Sequence, residues 1–234
     1  MARPILVANW KSYPNSLFEA KSLLNQLARQ SRLYKKFNFS IAPPLVYFES
    51  VARSGFALAS QDMEMTDILK SFGTKFVIVG HSDRRAKGET EEIINRKVKI
   101  ALRAGIIPLL CIGELFSDRD GEHFEFLRSQ LRLALAGVKN SKIIVAYEPV
   151  WAIGKSAKGA ISPDELSQTV IFIKKVLSDI LGRKIANQIS VLYGGSVEPA
   201  NAEALMRDTN IRGFLVGHAS LDAKKFKTIA ESML

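Results

Sequence analysis

Eight short apolar stretches recur along the chain: Ile5–Ala8, Phe39–Ala42, Phe56–Ala59, Phe76–Val79, Ile106–Cys111, Ile143–Ala146, Ile189–Leu192 and Phe214–Val216. Each is strand-length and predominantly apolar rather than alternating. Strands of that kind are buried on both faces, which is the condition of a parallel sheet. Helical periodicity fills the gaps between them. Ser16-Leu17-Phe18-Glu19 reads as a capping box and opens a helix with Ala20, Leu23, Leu24 and Leu27 on one face. Ser162-Pro163-Asp164-Glu165 is a better box, with proline at the first helical position. Leu166, Val170, Ile173, Leu177 and Ile180 follow at helical spacing, and Gly182 is placed to cap that helix. A third helix is predicted from about Thr90 to Ala104, ending at Gly105. A fourth runs from about His123 to Ala136, ending at Gly137.

Alternation of strand and helix implies parallel crossovers. Eight units in 234 residues leave about 29 residues each, close to the roughly 30 that a βαβ unit needs. Closure of eight strands removes both sheet edges, so a single-domain (β/α)8 barrel spanning residues 1–234 is the expected fold. The runner-up is an open doubly wound sheet. No GxGxxG follows the first strand, which weakens a dinucleotide-binding version of it.

Composition changes this picture little. Apolar residues make up 47% of the chain and charged residues 24%, which is ordinary for a globular protein. The only cysteine is Cys111, so an intrachain disulfide is excluded and a reducing compartment is expected. The first residues lack signal-peptide organisation, and the longest apolar run, Ile106 to Ile112, is too short to span a bilayer. A cytoplasmic location with no membrane contact is therefore expected. The formal charge is +10. Lysines and arginines are scattered and not interleaved with aromatics, so no nucleic-acid partner is expected. A positive field would still raise the encounter rate of a small anion.

In a barrel of this kind chemistry sits where the strands end. Asn9-Trp10-Lys11 follows the first run and Gly80-His81-Ser82-Asp83-Arg84-Arg85 the fourth. Tyr147-Glu148-Pro149 follows the sixth, Tyr193-Gly194-Gly195-Ser196 the seventh, and Gly217-His218-Ala219-Ser220 the eighth. An acid, an imidazole and an ammonium thus converge on one mouth, and glycines crowd its rim. Glycine-rich turns expose backbone N–H groups, which suits a phosphate. The pattern reads as acid–base chemistry on a small phosphorylated substrate, with no metal cluster and no cofactor. Read singly, Glu148 is an ordinary rim acid, His81 a structural histidine, Lys11 a solvated lysine and Cys111 a buried barrel residue.

Taken together, these segments resemble the triosephosphate isomerase family. The resemblance is carried by Asn9-Trp10-Lys11, Val79–Arg85, Cys111-Ile112-Gly113-Glu114, Ala146–Gly154, Tyr193–Ser196 and Gly213–Gly217, in family order from residue 4 to residue 221. It implies interconversion of dihydroxyacetone phosphate and D-glyceraldehyde 3-phosphate through an enediol(ate), in glycolysis and gluconeogenesis, by a homodimer. By the same resemblance Glu148 is the base and His81 the electrophile that polarises the carbonyl. Lys11 holds a positive charge by the enediolate, with Asn9 hydrogen-bonding nearby. Gly154, Ser196 and Gly217, with His218 beside them, offer backbone N–H groups to the phosphate. Pro149 to about Lys158 forms a lid that excludes water.

Four departures from the family pattern carry expectations of their own. Asp83 stands where glutamate is usual, so its contact with Lys11 is expected to be rearranged. His218 stands where a second glycine is usual, and a positive φ there would be strained. Lys155-Ser156-Ala157-Lys158-Gly159 departs from the usual lid hinge. From Gln61 to His81 the chain is shorter than its relatives, in the stretch that carries the loop between subunits, so a weakened dimer is expected. Two other readings remain open: a different phosphate-binding barrel isomerase acting on a larger substrate, and a non-catalytic basic binding protein.

Overall fold

The computed structural model describes residues 3–116, 121–154 and 159–234. Eight strands form one sheet: β1 (Ile5–Asn9), β2 (Asn38–Ala42), β3 (Ala59–Ser60), β4 (Phe76–Val79), β5 (Ile107–Ile112), β6 (Ile144–Tyr147), β7 (Ser190–Tyr193) and β8 (Gly213–Val216). All neighbouring pairs are parallel. The order is β2-β1-β8-β7-β6-β5-β4-β3. A parallel bridge between Ile41 and Leu58 joins the two outer strands, with the Ile41 N–H donating to the Ala57 carbonyl at 2.9 Å. The sheet is therefore a closed (β/α)8 barrel, as the apolar runs predict.

Alternation along each strand divides the apolar residues between two cores. Ile5, Val7, Phe76, Ile78, Leu109, Cys111, Ile144, Ala146, Leu192 and Leu215 fill the barrel interior. Their neighbours Leu6, Ala8, Val77, Val79, Leu110, Val145, Val191, Phe214 and Val216 face the helices. Ala20, Leu23, Leu24 and Leu27 of the helix Leu17–Ala28 are buried against that outer face. So are Leu166, Val170, Ile173 and Leu177 of the helix Pro163–Leu181. Both faces of the sheet are covered, which is why the runs are apolar along their length.

Three expectations are corrected. The third run, Phe56–Ala59, is not the strand; β3 covers only Ala59–Ser60. Phe56 turns away to pack edge-on against Tyr34 and Phe39, at 6.2 and 5.3 Å between ring centroids. Ser16 does cap its helix, accepting from the Glu19 N–H, but the box is one-sided. The Glu19 carboxylate reaches past Ser16 to the Asn15 N–H at 3.0 Å. At Ser162 both halves of the box are present. Such a cap stabilises a helix by about 1 kcal/mol. The helix Glu91–Ala104 ends on Gly105 as expected, while the helix Glu122–Ala134 stops two residues short of the predicted end.

Candidate active site

Strand parity delivers the first part of the site. Ile144 and Ala146 point into the barrel, so Glu148, two residues on, also points inward at the mouth. The same count takes Val7 to Asn9, Leu192 to Gly194 and Leu215 to Gly217. Glu148 is only 2% exposed. Two glycines leave it room: a Cβ on Gly113 would lie 1.8 Å from the Glu148 carbonyl oxygen, and one on Gly194 would lie 2.9 Å from Glu148 Cγ. One carboxylate oxygen, Oε2, accepts from the Ser82 N–H at 3.3 Å. The other, Oε1, has no hydrogen-bond partner among the described residues and lies 3.5 Å from His81 Nε2. A buried carboxylate oxygen with a free lone pair is a poised proton acceptor. Beneath it Cys111 is buried. Burial, and then the Glu148 carboxylate, push its thiol well above the usual range, so it stays protonated.

His81 sits at the N-terminus of the short turn Ser82–Arg85, and its Nδ1 accepts from the Asp83 N–H at 3.1 Å. An N–H donor requires a lone pair on Nδ1, so the ring is neutral with its proton on Nε2. The Asp83 carboxylate lies 3.6 Å from the same nitrogen. That carboxylate is 56% exposed and already paired with Lys11, so the backbone donor decides the tautomer. Nε2 lies 3.5 Å from Glu148 Oε1 without donating a hydrogen bond to it, so its N–H is left for a ligand. Arg85 braces this turn from below, donating to the carbonyls of Gly80 at 2.6 Å and Cys111 at 3.0 Å and pairing with Glu91.

Lys11 completes the mouth from the opposite side. Its Nζ pairs with Asp83 Oδ2 at 3.2 Å, so the shorter acid still makes the contact that its length placed in question. Lys11 has φ +50, a left-handed conformation that is uncommon without glycine. Its N–H donates to Asn9 Oδ1 at 3.1 Å, and its carbonyl accepts from Gln61 Nε2 at 2.7 Å.

Asn9, Lys11, His81, Glu148, Gly154, Ser196, Gly217 and His218, the eight residues singled out from the sequence, line one cavity of about 240 Å³. Gly194 and Gly195 lie among them. Gly154 has φ +75, which a side chain would disfavour. The strain expected at His218 does not arise: among the described non-glycine residues only Lys11 and Met65 have positive φ. The unusual angles fall instead on Gly217, with φ −84 and ψ −113. Asn201 pins the loop after β7, donating to the Ser196 carbonyl and accepting from the Glu198 N–H, each at 2.9 Å.

Three residues to which sequence reasoning gave no role also shape the site. Gln61 ties Lys11 down, and Arg85 braces the His81 turn. Glu114 Oε1 accepts from Tyr147 at 2.9 Å and from Trp151 Nε1 at 2.6 Å, at the foot of the expected lid. Burial, and then the Glu114 charge, push the Tyr147 phenol up, so it remains a donor. The stretch expected to form the lid begins as the turn Val150–Ala152. Its far end, Lys155-Ser156-Ala157-Lys158, lies outside the described residues. Among the described residues no group of three or more His, Cys, Asp or Glu side chains is arranged to hold a metal. Nor is any helix among them long and apolar enough to cross a membrane.

Fold and site together define a class: a (β/α)8-barrel enzyme with acid–base side chains gathered where the strands end. The triosephosphate isomerase family model matches residues 4–233. Curated relatives named triosephosphate isomerase align over nearly the whole length of both chains. Those from Citrifermentans bemidjiense and Geobacter metallireducens are 36% and 38% identical, covering 98% of this chain and 98% of theirs. One from Thermoanaerobacter sp. (strain X514) is 37% identical, covering 98% of this chain and 99% of its own. The chain belongs to the triosephosphate isomerase family.

Proposed function

We propose that this protein interconverts dihydroxyacetone phosphate and D-glyceraldehyde 3-phosphate, serving glycolysis and gluconeogenesis in the cytoplasm. The observation that carries this reading is the free Oε1 of a buried Glu148 beside the Nε2 of a neutral His81. In this mechanism Glu148 Oε1 takes a proton from the carbon next to the carbonyl. The electron pair moves onto the carbonyl oxygen, which the Nε2–H of His81 stabilises and protonates. His81 Nε2 then takes the proton of the neighbouring hydroxyl, which restores the neutral ring, and returning the proton from Glu148 to the carbon that bore the carbonyl gives the other triose. Lys11 supplies a fixed ammonium for the developing oxyanion, and Asn9 holds Lys11 in place. Charges and dipoles preset in this way contribute more to rate than the base itself.

In the same reading backbone N–H groups of Gly154, Ser196 and Gly217 receive the phosphate, with His218 adding an imidazole to that rim. A cavity of about 240 Å³ has room for a three-carbon phosphate. A coupled dehydrogenase assay tests the activity. Glu148→Gln should lower kcat by about 10²- to 10⁴-fold, the usual worth of a positioned base, while inorganic phosphate still competes for the site. Activity close to wild type in that variant would remove Glu148 from its role.

A homodimer is part of the proposal. Leu45 and Val46 after β2, with Met65 and Ile68 after β3, leave large apolar side chains exposed, the kind of patch that subunits cover. One observation supports a shortened contact loop: the link from β3 to the helix Thr66–Ser71 is only Gln61–Met65. Sedimentation at falling concentration should show dissociation; a dimer that persists at nanomolar protein would rule out the weak interface.

A further inference from the structure

We propose that the end of the barrel opposite the mouth is a docking surface for single-stranded nucleic acid. The inference stands apart from the isomerase reading, since it uses none of the residues at the mouth.

That end is built from the links that lead from each outer helix to the next strand. They are residues 3–4, 29–37, 54–58, 72–75, 105–106, 135–143, 182–189 and 208–212. Basic side chains scattered along the sequence gather there in space. Residues 29–37 hold four of them, 135–143 two and 182–189 two, while Arg3, Lys75 and Arg212 stand just before β1, β4 and β8. Asp208 is the one acid in these links, and Arg207 pairs with it at 2.8 Å. The whole chain has 33 Lys and Arg against 23 Asp and Glu, so setting aside these 11 bases and 1 acid leaves 22 of each. The links therefore carry all of the formal charge of +10.

Nine of the eleven bases are exposed, and among the described residues none of those nine pairs with a carboxylate. Massed like charges oppose compaction, and a polyanion relieves them by displacing counterions. The crowding reaches partly buried groups at two separate points. Lys75 Nζ donates to Asn38 Oδ1 at 3.0 Å, and its pKa is lowered by burial and then by the charge of Arg3. Lys174 donates to the carbonyls of Ala186 and Ile189 at the same end, and its pKa is lowered by burial and then by Arg212.

Aromatic rings beside the cations favour a single strand. A groove of about 460 Å³ is lined by Arg3 and Lys35 together with Tyr34, Phe37 and Phe56. The Tyr34 side chain is buried, and its hydroxyl has no hydrogen-bond partner among the described residues. Rings and cations together suit unpaired bases and their phosphates. A bilayer is a poorer match, because none of the links presents an exposed large apolar side chain to enter it.

Fluorescence anisotropy with a labelled oligouridylate of about 20 nucleotides, longer than one such groove occupies, tests the surface. Wild type should bind it in about 50 mM salt, and log K should fall with log salt at a slope of about −3, as for about four phosphates of a single strand. Arg32→Glu with Lys35→Glu and Lys36→Glu should weaken binding at least tenfold and leave isomerase kcat and KM within twofold. Arg183→Glu with Lys184→Glu, on another link, should weaken it at least fivefold, so misfolding of one variant leaves the other to decide. Lys21→Glu with Lys175→Glu and Lys224→Glu changes the net charge as much as the first triple does, at exposed helix positions away from the links, and should cost less than threefold. Equal losses from the two triple variants would assign binding to net charge and overturn the proposal. Absent binding, an affinity indifferent to salt, or tighter binding of a duplex of the same length would overturn it as well. Tighter binding of phosphatidylserine vesicles or of polyglutamate would give the surface to a different partner and overturn it too.

Discussion

The two sides of the mouth are held by opposite means. On the Glu148 side the backbone positions the side chains. Strand parity sets the direction of Glu148, the Ser82 N–H fixes one of its oxygens, and the Asp83 N–H fixes the His81 tautomer. On the Lys11 side the side chains position the backbone. Asn9 and Gln61 hold a left-handed lysine, and an ionic cluster behind Asp62 holds Gln61. The first arrangement is preorganised by the sheet itself and resists change. The second depends on a relay of polar contacts, each worth only about 1 kcal/mol net when intact but more when half of it is removed. Electrostatic stabilisation by a fixed ammonium demands precision, and here that precision comes from the less robust half.

Removing the base of the relay should give the largest effect. Lys97→Met leaves the buried carboxylates of Asp62 and Glu89 without their shared cation, although Arg84 still partners Asp62. Breaking a buried ionic contact from one side typically costs about 3–5 kcal/mol. Denaturant unfolding should register a loss of that order. Activity per folded molecule should fall through Lys11, while affinity for inorganic phosphate should be spared. A loss below about 1 kcal/mol would mean that solvent already relieves the cluster.

The contrast also explains what could be read from the sequence. β4 is predicted to the residue and most other strands to within one or two, because burial on both faces leaves continuous apolar runs. The eight candidate site residues are legible because most of them follow closely on those runs and because their motifs resemble a family. Gln61 is not legible. It follows a two-residue strand whose second residue is Ser60, so the apolar signal there lies upstream, in Phe56, which belongs to an aromatic cluster. A contact across 50 residues through one amide leaves no period to detect. The one-sided cap at Ser16 fails for a local reason. Asn15 offers Glu19 a competing N–H, and the motif alone does not choose between them.

The backbone-held side can be disturbed more gently. Gly194→Ala would bring a methyl group to 2.9 Å from Glu148 Cγ and 3.3 Å from Oε1, displacing the carboxylate while leaving the strand register alone. A misplacement of 1 Å costs about 10²-fold, so kcat should fall by roughly ten- to a hundredfold. Affinity for inorganic phosphate should change little. If kcat stayed within twofold, the mouth would be more compliant on this side than its packing implies.

The smallest effect is a pH window confined to the relay. Burial lowers the pKa of Lys97, but hydrogen bonds and charge from Asp62 and Glu89 outweigh it, and the folded value rises above 10.5. A raised lysine pKa means that the folded state holds its proton more tightly than the unfolded chain does. The stabilisation is therefore complete below about pH 10.5 and fades as pH climbs through the folded value. Unfolding midpoints of wild type and Lys97→Met, measured side by side, should differ by a constant amount up to that pH and converge above it. Cys111 ionisation destabilises both proteins equally over part of the same range, since its thiol is held protonated in each fold, so it cancels in the difference. A gap that stayed constant through pH 11.5 would show that the ammonium is not what Asp62 and Glu89 require, and the support behind Gln61 would then be packing rather than charge.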